Sequence, residues 1–230
     1  DHEYAYIALN AGFPSIITIH GVMKQVAEKL NSPWYSTHKL FAKFEKKAIE
    51  KAENLISINP YVKDQFKNFK GNIFPIENPI SEVFFKLKSC EEYDIAFVGI
   101  YNERKRLINL FKAVQSINKD YDNLIIKVIG SSNQKEYELK VQNFIYQNGI
   151  SNNVVFLGQL NQVDVAKELS KAKMLVLPSI EETAPMVIAE SMALGKPVIA
   201  TDVGGIKYMI KKGRTGYVIP PDNIEALSKK

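Results

Sequence analysis

The chain has 230 residues, 46% of them apolar, with 30 basic and 25 acidic side chains and a net charge of +5. It is long enough to bury a sizeable core, and no apolar run approaches the roughly 20 residues that a helix needs to cross a bilayer. The single cysteine, Cys90, excludes an internal disulfide framework, and the three scattered histidines do not form a zinc site with it, so we expect a cytoplasmic protein.

Short β-rich runs alternate with helical patterns from Pro14 onward, which predicts βαβ units and the α/β class with parallel sheets. The predicted strands are Ile16–Ile19, Leu55–Ile58, Ile73–Ile76, Ile95–Gly99, Leu124–Gly130, Val154–Leu157, Met174–Leu177 and Val198–Ala200. The predicted helices are about Ser36–Glu53, Lys105–Asn118, Lys135–Asn148 and Val163–Lys171, and a further helix begins near Pro185.

The densest basic segment is 39–51, in which apolar residues recur at helical spacing. This pattern predicts an amphipathic helix with a solvated lysine face that packs on a sheet. The same pattern also suits the anionic headgroups of a membrane, so peripheral membrane contact is the alternative.

Two isolated features mark other positions along the chain. His20 ends the first predicted strand at the carboxyl edge, where α/β sheets bind ligands, although a lone histidine there can equally be a packing or capping residue. The segment 77–93 lacks a clean period and contains Asn78-Pro79, which predicts a linker or a plain turn before a new sheet at Asp94.

Two glutamates, Glu182 and Glu190, stand with seven residues between them after the predicted strand Met174–Leu177. Glu182 is predicted in the loop, and Glu190 about two turns on in the helix at roughly 1.5 Å per residue. Carboxylates accept hydrogen bonds from sugar hydroxyls, so this spacing suits a ligand with hydroxyl groups at both ends.

Between the two glutamates, Pro185 is predicted at the first helical position. The amides of Met186 and Val187 are then unpaired helix-start donors, which favour phosphate together with the helix dipole. A ligand with hydroxyls at its ends and phosphate in its middle is a nucleotide sugar. Two ordinary surface glutamates are the alternative.

The Glu-x7-Glu spacing resembles the signature of retaining glycosyltransferases of the large group 1 family, also called family 4. Further segments match that family in register: Gly195–Thr201, Gly204-Gly205, Gly213–Gly216 and Val218–Asp222. The resemblance implies the GT-B fold, with two Rossmann-like domains that have helices on both faces of parallel sheets. It covers the end of the first domain and most of the second, which predicts an incomplete N-terminal, acceptor-side domain at 1–80, a linker at 81–93 and a truncated nucleotide-sugar-binding domain at 94–230.

The resemblance also implies an activity: retaining transfer of a hexose from a nucleotide diphosphate sugar to a glycan or lipid-linked acceptor, with no metal or other cofactor. Catalytic roles fall on His20, facing the reaction centre, Glu182, contacting the donor sugar, and Lys105, holding the diphosphate. The donor-binding residues implied are Gly99, Arg104, Arg106, Gly130, Thr183, Ala184, Pro185, Met186, Val187 and Glu190, the last of these on the ribose hydroxyls.

The chain departs from the family pattern in the loop that holds the diphosphate. Ile100 stands where the family usually has Arg, and Arg106 stands where it usually has Gly. Fixed cations stabilise the negative charge that develops on a leaving nucleoside diphosphate, so Arg104 or Arg106 is the candidate for a second cation beside Lys105. A solvated helix start is the alternative interpretation of these three basic residues.

Asp120-Tyr-Asp122 mimics an Asp-x-Asp metal motif, but its place between a helix and a strand predicts a turn instead. A non-catalytic relative that binds nucleotide sugar without transfer is the main alternative function, motivated by Ile100. A nucleic-acid-binding module is disfavoured, because most Phe and Tyr residues occupy apolar periodic positions. If the 39–51 helix contacts lipid, the expected location of the protein is the inner face of the membrane.

Overall fold

The structure, a computed structural model, describes residues 2–117 and 123–230. The chain divides into two compact units. The first comprises the residues through Pro79 together with the short segment Glu181–Ala184, and the second comprises Ile80–Ile180 and Pro185–Lys230.

The first unit contains a parallel sheet in the order β1-β2-β3. Its elements are α1 (His2–Leu9), β1 (Ile17–Ile19), α2 (Met23–Lys29), α3 (Thr37–Lys51), β2 (Asn54–Ser57), α4 (Pro60–Gln65) and β3 (Asn72–Pro75). Ile17 pairs with Leu55, and Leu55 pairs with Ile73, so apolar residues meet on adjacent strands. A small core of Ile17, Ile19, Ala48, Leu55, Ile58 and Val62 holds these elements together.

Helix α3 begins after Ser36, whose hydroxyl oxygen accepts a hydrogen bond from the Lys39 amide at 3.3 Å. Its Ala48 is buried, as an amphipathic helix requires. Glu45 on the same helix is buried too, and its Oε1 accepts from the backbone amide of Met23 at 3.0 Å, at the first residue of α2. Burial raises the pKa of Glu45, and the amide hydrogen bonds partly oppose that shift.

The second unit contains a parallel sheet in the order β6-β5-β4-β7-β8-β9. Its elements are α5 (Val83–Lys86), β4 (Tyr93–Val98), α6 (Leu107–Ile117), β5 (Ile126–Ile129), α7 (Lys135–Gln147), a 3-10 turn (Ser151–Asn153), β6 (Val154–Gly158), α8 (Gln162–Ser170), β7 (Ala172–Leu177), α9 (Met186–Ala193), β8 (Val198–Thr201), α10 (Ile206–Met209), β9 (Gly216–Ile219) and α11 (Ile224–Ser228). Strand β8 is buried at every position, which explains why such strands appear in the sequence as continuous apolar runs.

The strand order places a topological switch point between β4 and β7. From β4 the chain builds outward through β5 and β6, then returns to β7 beside β4 and builds outward in the other direction. Ile95 of β4 pairs with Met174 of β7, so the two strands run side by side. Open parallel sheets bind ligands at the carboxyl ends of the strands at such a point, which directs attention to the loops after β4 and β7.

The parallel α/β class predicted from the sequence is confirmed, and each predicted strand overlaps an observed one. The prediction omitted β9 and the short helices α1, α2, α4, α5 and α10. Segment 81–93, which we predicted as a linker, differs from that description in the structure: it contains α5 and belongs to the second unit. Phe84 of α5 is fully buried in that unit's core, and one turn of helix is too short to show a period in the sequence.

Candidate functional site

In the loop after β4, the side chain of Lys105 lies next to the backbone of Gly99. Gly99 has a φ of 135°, which glycine adopts readily and other residues do not. A Cβ atom placed on Gly99 would lie 3.9 Å from both Cε and Nζ of Lys105. The amino group of Lys105 therefore sits next to the Gly99 backbone, at the carboxyl end of β4.

A second glycine, after β5, packs directly against the first. Gly130 has a φ of 133°, and a Cβ atom there would lie only 2.2 Å from the carbonyl oxygen of Gly99. The Gly99 amide donates to the Ile129 carbonyl at 2.9 Å, and the Gly130 amide donates to the Gly158 carbonyl at 2.7 Å. We predicted Gly130 as a donor-binding residue, and the structure gives it a packing role beneath the Gly99 loop.

The turn between Gly99 and α6 is organised by Asn102. Its Oδ1 accepts from the backbone amides of Arg104 at 3.1 Å and Lys105 at 3.2 Å. An Asn side chain that accepts from the next amides replaces the backbone partners that a turn lacks. The sequence analysis did not select Asn102, although an Asn side chain that accepts from amides two and three residues further on is a known turn signal.

Arg106 differs from our prediction of a second cation for the diphosphate. Its Nη1 donates to Glu103 Oε2 at 2.9 Å, and its Nε lies 3.4 Å from Asp222 Oδ1, an ion-pair distance without hydrogen-bond geometry. Two carboxylates therefore engage the guanidinium. Its backbone has a φ of 51°, the left-handed conformation that the family's usual Gly adopts without strain. Arg104 shares the loop with Lys105, and Ile100 is exposed.

A backbone hydrogen bond connects the loop after β7 to the loop after β4. The Ile180 amide donates to the Arg104 carbonyl at 2.9 Å. Thr201 Oγ1, at the end of β8, donates to the Ser179 carbonyl. These hydrogen bonds hold the carboxyl ends of β4, β7 and β8 together within the second unit, and no sequence motif indicated them.

Helix α9 begins at Met186, and Pro185 lies at the N-cap with φ −65° and ψ 112°. The predicted first helical position for Pro185 was therefore one residue too early. Met186 and Val187 lie in the first turn, where amides lack intrahelical acceptors. Glu190 follows within the helix and is half-buried, and burial raises the pKa of its carboxyl group.

The segment Glu181–Ala184 packs with the first unit. Glu181, Glu182 and Thr183 are all buried, and Ala184 contacts the small apolar core. The hydroxyl of Tyr61 donates to Glu181 Oε1 at 3.0 Å. Neither Tyr61 nor Glu181 was selected from the sequence. Glu182 thus belongs to the first unit and Glu190 to the second.

His20 follows β1 in the first unit and is exposed. It lines a cavity of about 300 Å³ together with Gly21, Thr18 and the buried carboxylate residue Glu45. The imidazole therefore lies at the carboxyl end of the strand, as the sequence predicted, beside a polar cavity that could admit part of a ligand.

Within residues 2–117 and 123–230, no group of three or more His, Cys, Asp or Glu side chains could hold a metal ion. The Asp120-Tyr-Asp122 motif lies outside those residues. Across the same ranges, no helix is both long and apolar enough to cross a membrane.

Glycine-containing loops, a lysine and a half-buried glutamate follow the strands at the switch point of this parallel α/β sheet. Comparison with known proteins specifies the class. The family model of the group 1 glycosyl transferases matches residues 80–230, and the chain belongs to that family.

An uncharacterized glycosyltransferase of Methanocaldococcus jannaschii is 29% identical over 94% of this chain and 57% of its own length. Sucrose-phosphate synthase from Thermosynechococcus elongatus superposes with a TM-score of 0.80 at 22% identity, over 97% of this chain and 59% of that one. Anabaena HepE, crystallised with UDP-glucose, gives a TM-score of 0.82 at 17% identity, over 100% of this chain and 65% of that one. These two likenesses confirm the GT-B type of fold, and the chain spans little more than half the length of these relatives.

Proposed function

We propose that the full protein transfers a hexose from a nucleotide diphosphate sugar to a glycan or lipid-linked acceptor, with retention of the anomeric configuration. The observation that carries this proposal is the amino group of Lys105 held beside Gly99 at the switch point. Family membership and the structural likeness to a protein crystallised with UDP-glucose support the same class of donor.

Lys105 stabilises the diphosphate in this proposal. When the bond between the sugar and the diphosphate breaks, negative charge develops on the leaving group. A cation fixed in place interacts more strongly with that charge than with the intact donor, which lowers the barrier. Lys105 supplies this charge without a metal ion, and Arg104 on the same loop is the remaining candidate for a second cation.

The two glutamates hold the ends of the donor. Glu190 accepts hydrogen bonds from the ribose hydroxyls, while the amides of Met186 and Val187 face the phosphates. Glu182, with the backbone of Thr183 and Ala184, contacts the donor sugar, and His20 faces the reaction centre. The ionised carboxylate accepts at both oxygens and more strongly than the protonated acid, so tight binding of the ribose hydroxyls favours loss of the Glu190 proton despite the burial that raises its pKa.

A donor panel tests the proposal on the full-length gene product. UDP-glucose, UDP-N-acetylglucosamine and GDP-mannose would each be assayed for binding, hydrolysis and transfer, and NMR of the product would give its anomeric configuration. We expect Lys105→Ala to weaken binding of the nucleoside diphosphate about 10-fold or more, since a hydrogen bond to a charged group contributes about 1.5–3 kcal/mol. Lys112→Ala is the matched control, because Lys112 is an exposed lysine of α6.

The same panel separates the main alternative, a relative that binds nucleotide sugar without transfer. Ile100, exposed where the family usually has Arg, favours that alternative. Binding without turnover, together with no effect of Glu182→Ala, would overturn transfer by this protein. Inversion in the product would overturn retention alone.

We also propose that the protein contacts the anionic inner face of a membrane through helix α3, which would bring it close to a lipid-linked acceptor. Helix α3 exposes Lys43, Lys46 and Lys47, although Lys46 lies 3.7 Å from Glu50. Just before the helix, Trp34 and Tyr35 are 82% and 75% exposed, with their rings edge to face at 5.7 Å. Aromatic residues beside lysines are typical of surfaces that lie at a lipid headgroup layer.

Vesicle sedimentation tests this contact. We expect binding to vesicles that contain phosphatidylglycerol, weaker binding to phosphatidylcholine alone, and a loss in the Lys43→Glu, Lys46→Glu, Lys47→Glu variant. A variant with the same charge change on exposed lysines of the second unit, at Lys112, Lys135 and Lys211, is the control. Equal losses in both variants would indicate nonspecific attraction by net charge.

A further inference from the structure

We propose that Tyr61 is a positioning residue for the segment Glu181–Ala184, and through it for Glu182. This inference rests on the proposed function and extends it to a residue that touches no substrate. Tyr61 and Glu181 are separated by 120 positions in the chain, and a single hydrogen bond of 3.0 Å joins their side chains.

Tyr61 is itself held firmly. It lies in the first turn of α4, where Asn59 Oδ1 accepts from the Tyr61 amide at 2.9 Å and Pro60 fixes the start of the helix. Ser57 Oγ, at the end of β2, donates to the Asn59 carbonyl at 2.8 Å. The cap is therefore anchored to the last residue of a sheet strand, and the phenol extends from a fixed backbone.

The hydrogen bond is buried at both ends. Tyr61 and Glu181 are 8% and 3% exposed. Burial and the charge of Glu181 raise the pKa of Tyr61 far above its usual value, so the hydroxyl keeps its proton and acts as the donor. Loss of the phenol oxygen would take one donor away from this buried carboxylate, which is costly, and would therefore disturb the position of Glu181.

Glu182 follows Glu181 directly, so the bond constrains the residue assigned to the donor sugar. The other end of the segment is fixed by Ala184, which packs on the core that includes Val62, the neighbour of Tyr61. A polar contact at Glu181 and an apolar contact at Ala184 thus fix the two ends of the segment. If Tyr61 were removed, Glu182 would lose its geometry toward the sugar, while the nucleotide-binding residues of the second unit would be unaffected.

This inference is tested by comparing the affinity for a sugar nucleotide with the affinity for the matching nucleoside diphosphate. In Tyr61→Phe we expect the affinity for the sugar nucleotide, probed with the best donor of the panel above, to fall about 10-fold or more. We expect the affinity for the matching nucleoside diphosphate to change less than about 2-fold. With a donor that turns over, kcat/KM should fall by the same factor as the sugar-nucleotide affinity or more. Tyr93→Phe is the control, because the buried Tyr93 hydroxyl donates to the Glu168 carbonyl at 2.9 Å in the second unit.

A double-mutant cycle tests the partner. Glu181→Gln keeps an oxygen that can accept from Tyr61, so it should retain more sugar-nucleotide affinity than Glu181→Ala. Tyr61→Phe added to Glu181→Ala should cause no further loss, because the hydrogen bond is already absent. Additive losses, or equal effects of Tyr61→Phe and Tyr93→Phe, would overturn the inference.

The failure of the inference is distinguishable from the failure of the proposed function. Absence of turnover in the wild-type protein counts against transfer only, since the two affinities still report on Tyr61. Wild-type turnover with an unchanged Tyr61→Phe variant counts against the positioning role only. A fall in both affinities by the same factor would show general loss of structure and would also reject the positioning role.

Discussion

Lys105 and Glu182, the two residues to which the proposed function assigns the diphosphate and the donor sugar, are positioned within their own units by different means. The loop that carries Lys105 is held by backbone packing, because Gly130 lies so close to the Gly99 carbonyl oxygen that a Cβ atom on Gly130 would be 2.2 Å from it. Glu182 is held through side chains, by a tyrosine and a carboxylate far apart in the sequence. Glycine packing leaves a trace in the local sequence, whereas a single distant pair leaves none. The loop around Lys105 could therefore be singled out from the sequence, whereas the contact between Tyr61 and Glu181 could not.

The largest expected effect is the loss of stability when Gly130, which packs against the Gly99 loop, is replaced. Gly130→Ala places a Cβ atom 2.2 Å from the Gly99 carbonyl oxygen, and one of the two backbones must move. We expect a loss of about 3 kcal/mol or more in the free energy of unfolding, from the clash together with the positive φ. Urea unfolding of the full-length protein measures it.

Gly99→Ala is the matched comparison for that prediction. Its φ of 135° is almost the same as the 133° of Gly130, but its nearest neighbours would be 3.9 Å away on the flexible Lys105 side chain. The loss in the free energy of unfolding should therefore be smaller than for Gly130→Ala. Equal losses would mean that backbone strain alone, and not close packing of the two loops, makes glycine necessary.

The next effect in size is the pH dependence of nucleoside diphosphate binding that Glu190 causes. Burial disfavours the charged carboxylate and raises its pKa above the ordinary value of 4.5. Because the carboxylate is the acceptor for ribose, nucleoside diphosphate binding should weaken as pH falls through that raised pKa. For stability the sign is opposite: the folded state favours the protonated form, so this group's contribution declines as pH rises through the same range.

Titration calorimetry over a pH series that starts at the ordinary pKa of 4.5 and rises to neutral pH measures this effect. Glu190→Gln should bind more weakly at neutral pH, by about 1–2 kcal/mol, and should lose this part of the pH dependence. Glu138→Gln is the control, since Glu138 is a carboxylate of α7. Persistence of the pH dependence in Glu190→Gln would assign it to another group, such as the phosphate.

Much of the second unit could be predicted from its sequence because its strands are short apolar runs that contact neighbours on both faces. Strand β9 was omitted, since Gly216 and the exposed Tyr217 interrupt such a run. Helix α4 was omitted because six residues are too few for a period, although Asn59-Pro60 is a cap signal. One of the two ion pairs of Arg106 is with Asp222, which lies 116 residues further along the chain and comes close only in the folded state.

The smallest expected effect is the change in stability and in nucleoside diphosphate affinity when Arg106 is replaced. It distinguishes a structural role of Arg106 from the diphosphate-binding role proposed for Lys105. Arg106 has a φ of 51°, which costs a residue with a Cβ about 1 kcal/mol. Arg106→Ala loses the contacts with Glu103 and Asp222 and keeps that strain, whereas Arg106→Gly loses the contacts and relieves it. We expect the Gly variant to be more stable than the Ala variant by about 1 kcal/mol in urea unfolding. Since carboxylates already engage this guanidinium, nucleoside diphosphate affinity should change less than about 2-fold in both variants, unlike Lys105→Ala. A loss in both Arg106 variants comparable with that of Lys105→Ala would return Arg106 to the donor site and make the ion pairs a resting arrangement that the donor displaces.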